Sequence, residues 1–202
     1  YDFSDDVQSL FPQAHIECLQ FENDQLLVKE FGRGYGEGEI VRHALEHSRF
    51  IAQAKCFAKC TAKLWVENYA ECLRQWSGQL LCKGVFDNAL SLLQKPRLSY
   101  IDTRFYIASV ACYRTYFLEA HRAINKDAGY GLEQTFLTIF QQHHIEGALF
   151  RNYPVIHGLG GGTGKYYKTS SIRVLKEKLK MLRLQRSQAL GRLLADSSPS
   201  FK

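Results

Sequence analysis

No apolar run in this chain approaches the ~18–20 residues needed to cross a bilayer. Its opening stretch carries Asp2, Asp5 and Asp6 where a secretory leader would be positive. No transmembrane segment is therefore expected, and the expected location is cytoplasmic. Six cysteines occur, at 18, 56, 60, 72, 82 and 112, and no two form a CxxC pair. That argues against a zinc or disulfide framework and for reduced thiols. Only four prolines are present, which favours long uninterrupted helices. An internal repeat and a low-complexity domain are both missing, which excludes a solenoid. So is any serine or cysteine nucleophile in a recognisable local motif, and the chain is expected to work without a cofactor and without catalysing a reaction.

What is present is ordinary in amount and uneven in placement. The 202 residues are 46% hydrophobic and 23% charged, enough for one domain with one substantial core. Aromatic residues make up 13% and have to be packed or used. The formal net charge is +6, yet the stretch from Lys165 to Arg192 alone carries nine basic residues against the single acid Glu177. The remainder of the chain is therefore slightly acidic, and the basic stretch reads as a contact surface for something negative.

Periodicity divides the chain into a segment over 1–38, a helical core over 39–157 and a basic segment over 158–202, all within one domain. Gln25 to Phe31 reads as a short strand. It runs into Gly32, Gly34, Gly36 and Gly38, four glycines at alternate positions that read as a hinge. The spacing is not GxGxxG, and Glu37 and Glu39 would repel an anion, which argues against a phosphate loop. From Glu39 to about Ser77, apolar residues recur at three- and four-residue steps, as they do over Leu80–Leu93, from Ser99 to about Lys126, and over Leu132–Phe150. A last helix starts at Ser170 or Ser171 and extends to about Ala195. The expected fold is mainly α: a bundle of four to five long helices, at most a minor strand pair, and a Gly-rich loop before a basic C-terminal helix.

The loop GLGGGTGKYY invites comparison with the phosphate-binding pattern GxxxxGK[ST], and fails it twice. Leu159 stands where the first glycine is required, and Tyr166 where the magnesium-binding hydroxyl should follow Lys165. In the helix that follows, Ile172, Leu175, Leu179, Leu182, Ala189 and Leu193 form one apolar seam interrupted only at Arg186. Arg173, Lys176, Lys180 and Arg183 fall on an adjoining face with few acids to neutralise them. The expectation is a non-catalytic subunit that contacts the phosphate backbone of RNA or DNA. Its contacts would be Lys165, Lys168, Arg173, Lys176, Lys180 and Arg183, with Gly160, Gly161, Gly162 and Gly164 letting the loop follow its ligand. Other protein subunits are expected beside it, in a ribonucleoprotein of the kind that small helical subunits form in CRISPR effector complexes. That comparison is one of architecture alone.

Two other readings stand beside it. The first is a metal- or haem-dependent enzyme within the helical bundle, with His43 and His47, four apart, and His143 and His144 supplying ligands from facing helices, although no paired ExxH motif is present. Tyr100, Phe105, Tyr106, Tyr113, Tyr116 and Phe117 are interleaved with Arg97, Arg104, Arg114 and Arg122, a mixture that can stack bases but equally builds a core with arginines at its rim. The C-terminal seam can also join a partner bundle, its charges meeting an acidic protein.

Overall fold

The structure, a computed structural model, describes residues 7, 9, 10, 12, 15–91, 93–160, 166–167 and 171–195. Two three-stranded antiparallel sheets and a set of mostly short helices replace the expected helical bundle. The chain order is α1 (Gln25–Phe31), α2 (Arg33–His47), α3 (Arg49–Gln53), β1 (Cys56–Cys60), β2 (Leu64–Val66), α4 (Tyr69–Leu73), β3 (Leu80–Asp87), β4 (Arg97–Ser109) and α5 (Val110–Tyr116). A single 3-10 turn over Ala120–Ala123 follows, then α6 (Leu132–Gln142), β5 (Ile156–Leu159), β6 (Tyr166–Tyr167), α7 (Ser171–Gln185) and α8 (Gln188–Gly191).

The correction has a physical reason. Strand β4 is the middle strand of the larger sheet, ordered β1-β4-β3, and its residues from Ile101 to Ala108 are almost all buried on both faces. A strand covered on both faces is a continuous apolar run, which fits helical steps as readily as alternation. What separates the two is composition: Tyr100, Ile101, Thr103, Phe105, Tyr106 and Ile107 are β-branched or aromatic, and such side chains suit a pleated surface. The expected helix over Leu80–Leu93 fails in the same way, since Leu80, Leu81 and Cys82 are fully buried within β3.

Two apolar clusters lie on opposite sides of this sheet. One joins Leu80, Ile101, Tyr106 and Ala108 to Val41 and Leu45 of α2, Tyr113 of α5, Phe136, Ile139 and Phe140 of α6, and Met181 and Leu184 of α7. The other packs Leu81, Phe105 and Ile107 against Cys72, Phe150 and Ile156, beneath the small sheet β2-β5-β6. Beyond β3 the sheet is extended by irregular chain. The Cys82 amide donates to the Ala148 carbonyl, Phe150 donates back to Cys82, and the Leu149 and Ala195 amides exchange bonds with Leu193 and Leu149. These parallel bridges cover the β3 edge and tie down the chain after α7.

The N-terminal expectations also change. Gln25–Phe31 is a helix, capped by the Asp24 carboxylate, which accepts from the Leu26 and Leu27 amides. Gly32, with φ +91°, separates α1 from α2, but the glycines after it lie inside α2 and form no hinge. Gly38 shows why: a Cβ there would lie only 2.3 Å from the His121 Cβ and 2.4 Å from its Cγ, so the glycine lets α2 lie directly on the 3-10 turn. His121 is 1% exposed, and its Nε2 lies 2.6 Å from the Glu39 carboxylate. The expected start of a helix at Leu132 stands, although α6 ends at Gln142. All six cysteines are free, and of these Cys72 and Cys82 are buried.

Candidate functional site

A wide irregularity in β4 sets up a polar cluster between the sheet and the helices. Cys82 pairs with Tyr106, but the next residue of β3, Lys83, pairs with Asp102, so residues 103–105 bulge out of the β3 ladder. Bulges re-aim side chains and recur beside active sites. Here the bulge lets Asp102 fold back on its own chain. Its carboxylate accepts from the Arg104 amide at 3.1 Å, from Arg104 Nε at 2.9 Å and from Arg104 Nη2 at 2.5 Å. Burial opposes ionisation of Asp102, which is 5% exposed. The three hydrogen bonds outweigh it and hold the carboxyl below the ordinary aspartate range. The same pairing holds the Arg104 guanidinium charged.

A second ion pair sits alongside. Lys59, from β1, donates from Nζ to the Thr103 carbonyl at 2.7 Å, to Thr61 Oγ1 at 2.8 Å and to the Glu37 carboxylate of α2. Glu133, the second residue of α6, completes the group. Burial comes first in raising its carboxyl above the ordinary glutamate range; its own backbone amide works against this, and the negative charges of Glu37 and Asp102 raise it further. Asp102 and Glu37 each hold a cation, whereas Glu133 is a carboxylate that burial leaves easier to protonate.

Glu37, Thr103 and Glu133 reach a cleft of about 360 Å³ between the α1–α2 junction and the start of α6. Phe31, Ile124 and Leu132 give it an apolar wall, and Arg33 and Lys126 lie at its sides. Charges of both signs are nearly balanced around it, and a raised carboxyl in a concave site is the arrangement expected where a proton is exchanged with a bound molecule. Sequence reading missed this site because its parts lie at positions 37, 59, 102, 104 and 133, on separate elements, and no local spacing joins them. The one local signal was Asp102-x-Arg104 within a strand-forming stretch.

The residues expected to contact phosphate are distributed differently. Gly161, Gly162, Gly164, Lys165 and Lys168 lie outside the described residues. Gly160 ends the β5 side of the hairpin, and the Tyr167 ring packs on it so closely that a Cβ there would lie 2.6 Å from Cε2. Tyr167 in turn lies under the Arg104 guanidinium, 5.2 Å from ring centre to Cζ, which brings this end of the glycine loop to the polar cluster. Arg173, Lys176, Lys180 and Arg183 belong to α7. Lys180 pairs with Glu177 at 3.0 Å, one turn away on the same helix.

The histidines do not assemble a metal centre. His43 and His47 stack on each other with ring centres 4.1 Å apart, and His47 Nδ1 lies 2.9 Å from the His43 carbonyl, as helix neighbours do. His143 packs on Tyr116, and His144 sits past the end of α6 with φ +49°. Among the described residues, no three His, Cys, Asp or Glu side chains are grouped to hold a metal ion. Nor do the described residues include a helix long and apolar enough to cross a membrane.

The chain matches no family model. No curated protein and no solved structure is significantly similar to it. Neither the fold nor these comparisons lend support to nucleic-acid contact, and the likeness in architecture to small helical subunits ends with the two sheets.

Proposed function

We propose that the cleft between the α1–α2 junction and α6 binds a small, neutral, hydroxyl-bearing molecule, and that Glu133 exchanges a proton with it. The observation that carries this reading is the meeting of Glu37, Thr103 and Glu133 on the wall of one cleft, beside the β4 bulge. Two of the three acids at the cluster are committed to cations, Asp102 to Arg104 and Glu37 to Lys59, so the cluster as a whole attracts neither a strong anion nor a strong cation. A neutral ligand with hydroxyl groups matches this: carboxylates accept its hydroxyl protons, and the apolar wall takes its carbon face. Glu133 is the group suited to act as a general base when ionised and as an acid when protonated.

Ligand-observed NMR tests this directly. Neutral monosaccharides and polyols are titrated against wild-type protein, alongside deoxygenated molecules of similar size. Binding of at least one hydroxylated probe is expected, with weakening in Glu133→Gln and Glu37→Gln. If no hydroxylated probe binds, or if binding survives both substitutions unchanged, the reading fails.

A further inference from the structure

Helix α7 carries apolar residues on two opposite sides. Met181 and Leu184 are 4% and 0% exposed and belong to the core. Ile172, Leu175, Leu179 and Leu182 are 69%, 60%, 50% and 58% exposed, four large aliphatic side chains standing in solvent. Their spacing is three, four and three residues, which is the a/d step of a coiled coil: Ile172 and Leu179 at a, Leu175 and Leu182 at d. The core residues Met181 and Leu184 then fall at c and f, on the far side from the seam. The helix is therefore held against the protein by one stripe and presents the other outward.

The positions flanking the outward seam identify what covers it. Lys176 and Arg183 stand at e, and Lys178 and Gln185 at g. Among the described residues, Lys176, Lys178 and Arg183 have no ion-pair partner, whereas Lys180, at b, is paired with Glu177. In a coiled coil, residues at e and g face their counterparts on the neighbouring helix and set which partner is accepted. A second copy of this chain would bring cation against cation in either orientation, which disfavours self-pairing. The seam is also narrow, confined to a and d and without aromatic residues. A lipid-facing helix presents a broader apolar face.

We infer that α7 is the docking surface for an amphipathic helix of a partner protein, with aliphatic residues at its own a and d positions and Glu or Asp at its e and g positions. This is independent of the ligand proposed for the cleft. The seam covers about two heptads and ends where Arg186 takes an a position, so the interaction is short and reversible. Its selectivity comes from charge.

The test uses the full chain and a labelled three-heptad helical peptide with Leu and Ile at a and d and Glu at every e and g. A twin peptide carries Lys at e and g. Fluorescence anisotropy at low salt is expected to show the Glu peptide binding about tenfold or more tighter than the Lys peptide, given several exposed charge pairs of a few tenths of a kcal/mol each and the matching repulsions. Leu175→Ser with Leu179→Ser should abolish binding of the Glu peptide. The charge reversal Lys176→Glu, Lys178→Glu and Arg183→Glu should invert the preference towards the Lys peptide. All of these side chains lie on the exposed side or at its margin, so circular dichroism and thermal unfolding should match wild type. The inference is overturned if the Glu peptide does not bind, or if charge reversal leaves the preference unchanged. It is equally overturned if phosphatidylserine vesicles or single-stranded RNA bind the seam more tightly than the Glu peptide at the same salt. Self-association that the double serine variant removes would overturn it as well.

Discussion

The β4 cluster and the exposed side of α7 handle charge in opposite ways. At the bulge, Asp102 is matched to Arg104 and Glu37 to Lys59, each pair built from the protein's own residues and largely removed from water. Along α7, Lys176, Lys178 and Arg183 flank a solvated apolar seam with no acid matched to them among the described residues. The first region has settled its electrostatics within the fold; the second leaves them to be completed from outside. A count of charges along the chain sees the second region and is blind to the first, because paired charges cancel in the sum.

Substitutions should separate the two regions by how much stability they remove. Arg104→Leu strips Asp102 of its partner while Asp102 stays buried, and losing one member of a buried pair leaves an uncompensated charge. With Arg104 about one-third exposed, we expect a loss of about 3–4 kcal/mol, read from urea unfolding. Leu184→Ala opens a cavity under α7 and should cost about 2–3 kcal/mol. Gly38→Ala drives a methyl group against the Cβ and Cγ of buried His121 and should cost about 2 kcal/mol, with the 3-10 turn displaced. A hinge glycine would tolerate that change, so an unaffected Gly38→Ala would break the account of α2.

Glu133→Gln should act in the other direction. A carboxyl whose folded pKa is raised binds its proton more tightly in the folded state than in the unfolded one. Its contribution is therefore fully present below the unfolded glutamate pKa, near 4.5, and is lost as pH rises through the folded value. At neutral and mildly alkaline pH the amide should be more stable than wild type by about 1 kcal/mol, a gain that vanishes in acid. The same variant should weaken hydroxylated ligands, so stability and binding would move apart. The smallest effect belongs to the seam. Leu175→Ser with Leu179→Ser should change stability by less than about 0.5 kcal/mol, because both side chains are already in water. Comparison with Leu184→Ala, on the opposite side of the same helix, makes the point within a single element.

The sequence revealed these regions unequally, and for identifiable reasons. The α7 seam could be read because a helix with a 3.5-residue apolar step writes its pattern in consecutive residues. The side on which it packs could not, since Met181 and Leu184 are as apolar as Leu175 and Leu179. β3 and β4 fit a helical pattern as well as a strand because they are covered on both faces, which erases the alternation that marks a strand. Gly34, Gly36 and Gly38 resembled a hinge because what they accommodate, such as the His121 ring, lies far along the chain. The cleft left no local trace either. Glu37, Lys59, Asp102 and Glu133 meet only after the sheet has formed and both helices have docked.

The bridges at the β3 edge bear on how the molecule is made. Cys82 is paired to residues 148–150, and Leu149 in turn to Leu194, so the edge of the larger sheet is shielded by chain synthesised long after β3 itself. During translation β3 emerges with this side unsatisfied at Cys82 and stays so until residues 148–150 have left the ribosome; the segment following α7 then closes the outer side of Leu149. Between the synthesis of β3 and that of residues 148–150, a nascent chain carries an open, apolar sheet edge. An exposed edge of this kind favours pairing with other chains, so delay in adding residues 148–150 should raise aggregation of the nascent chain.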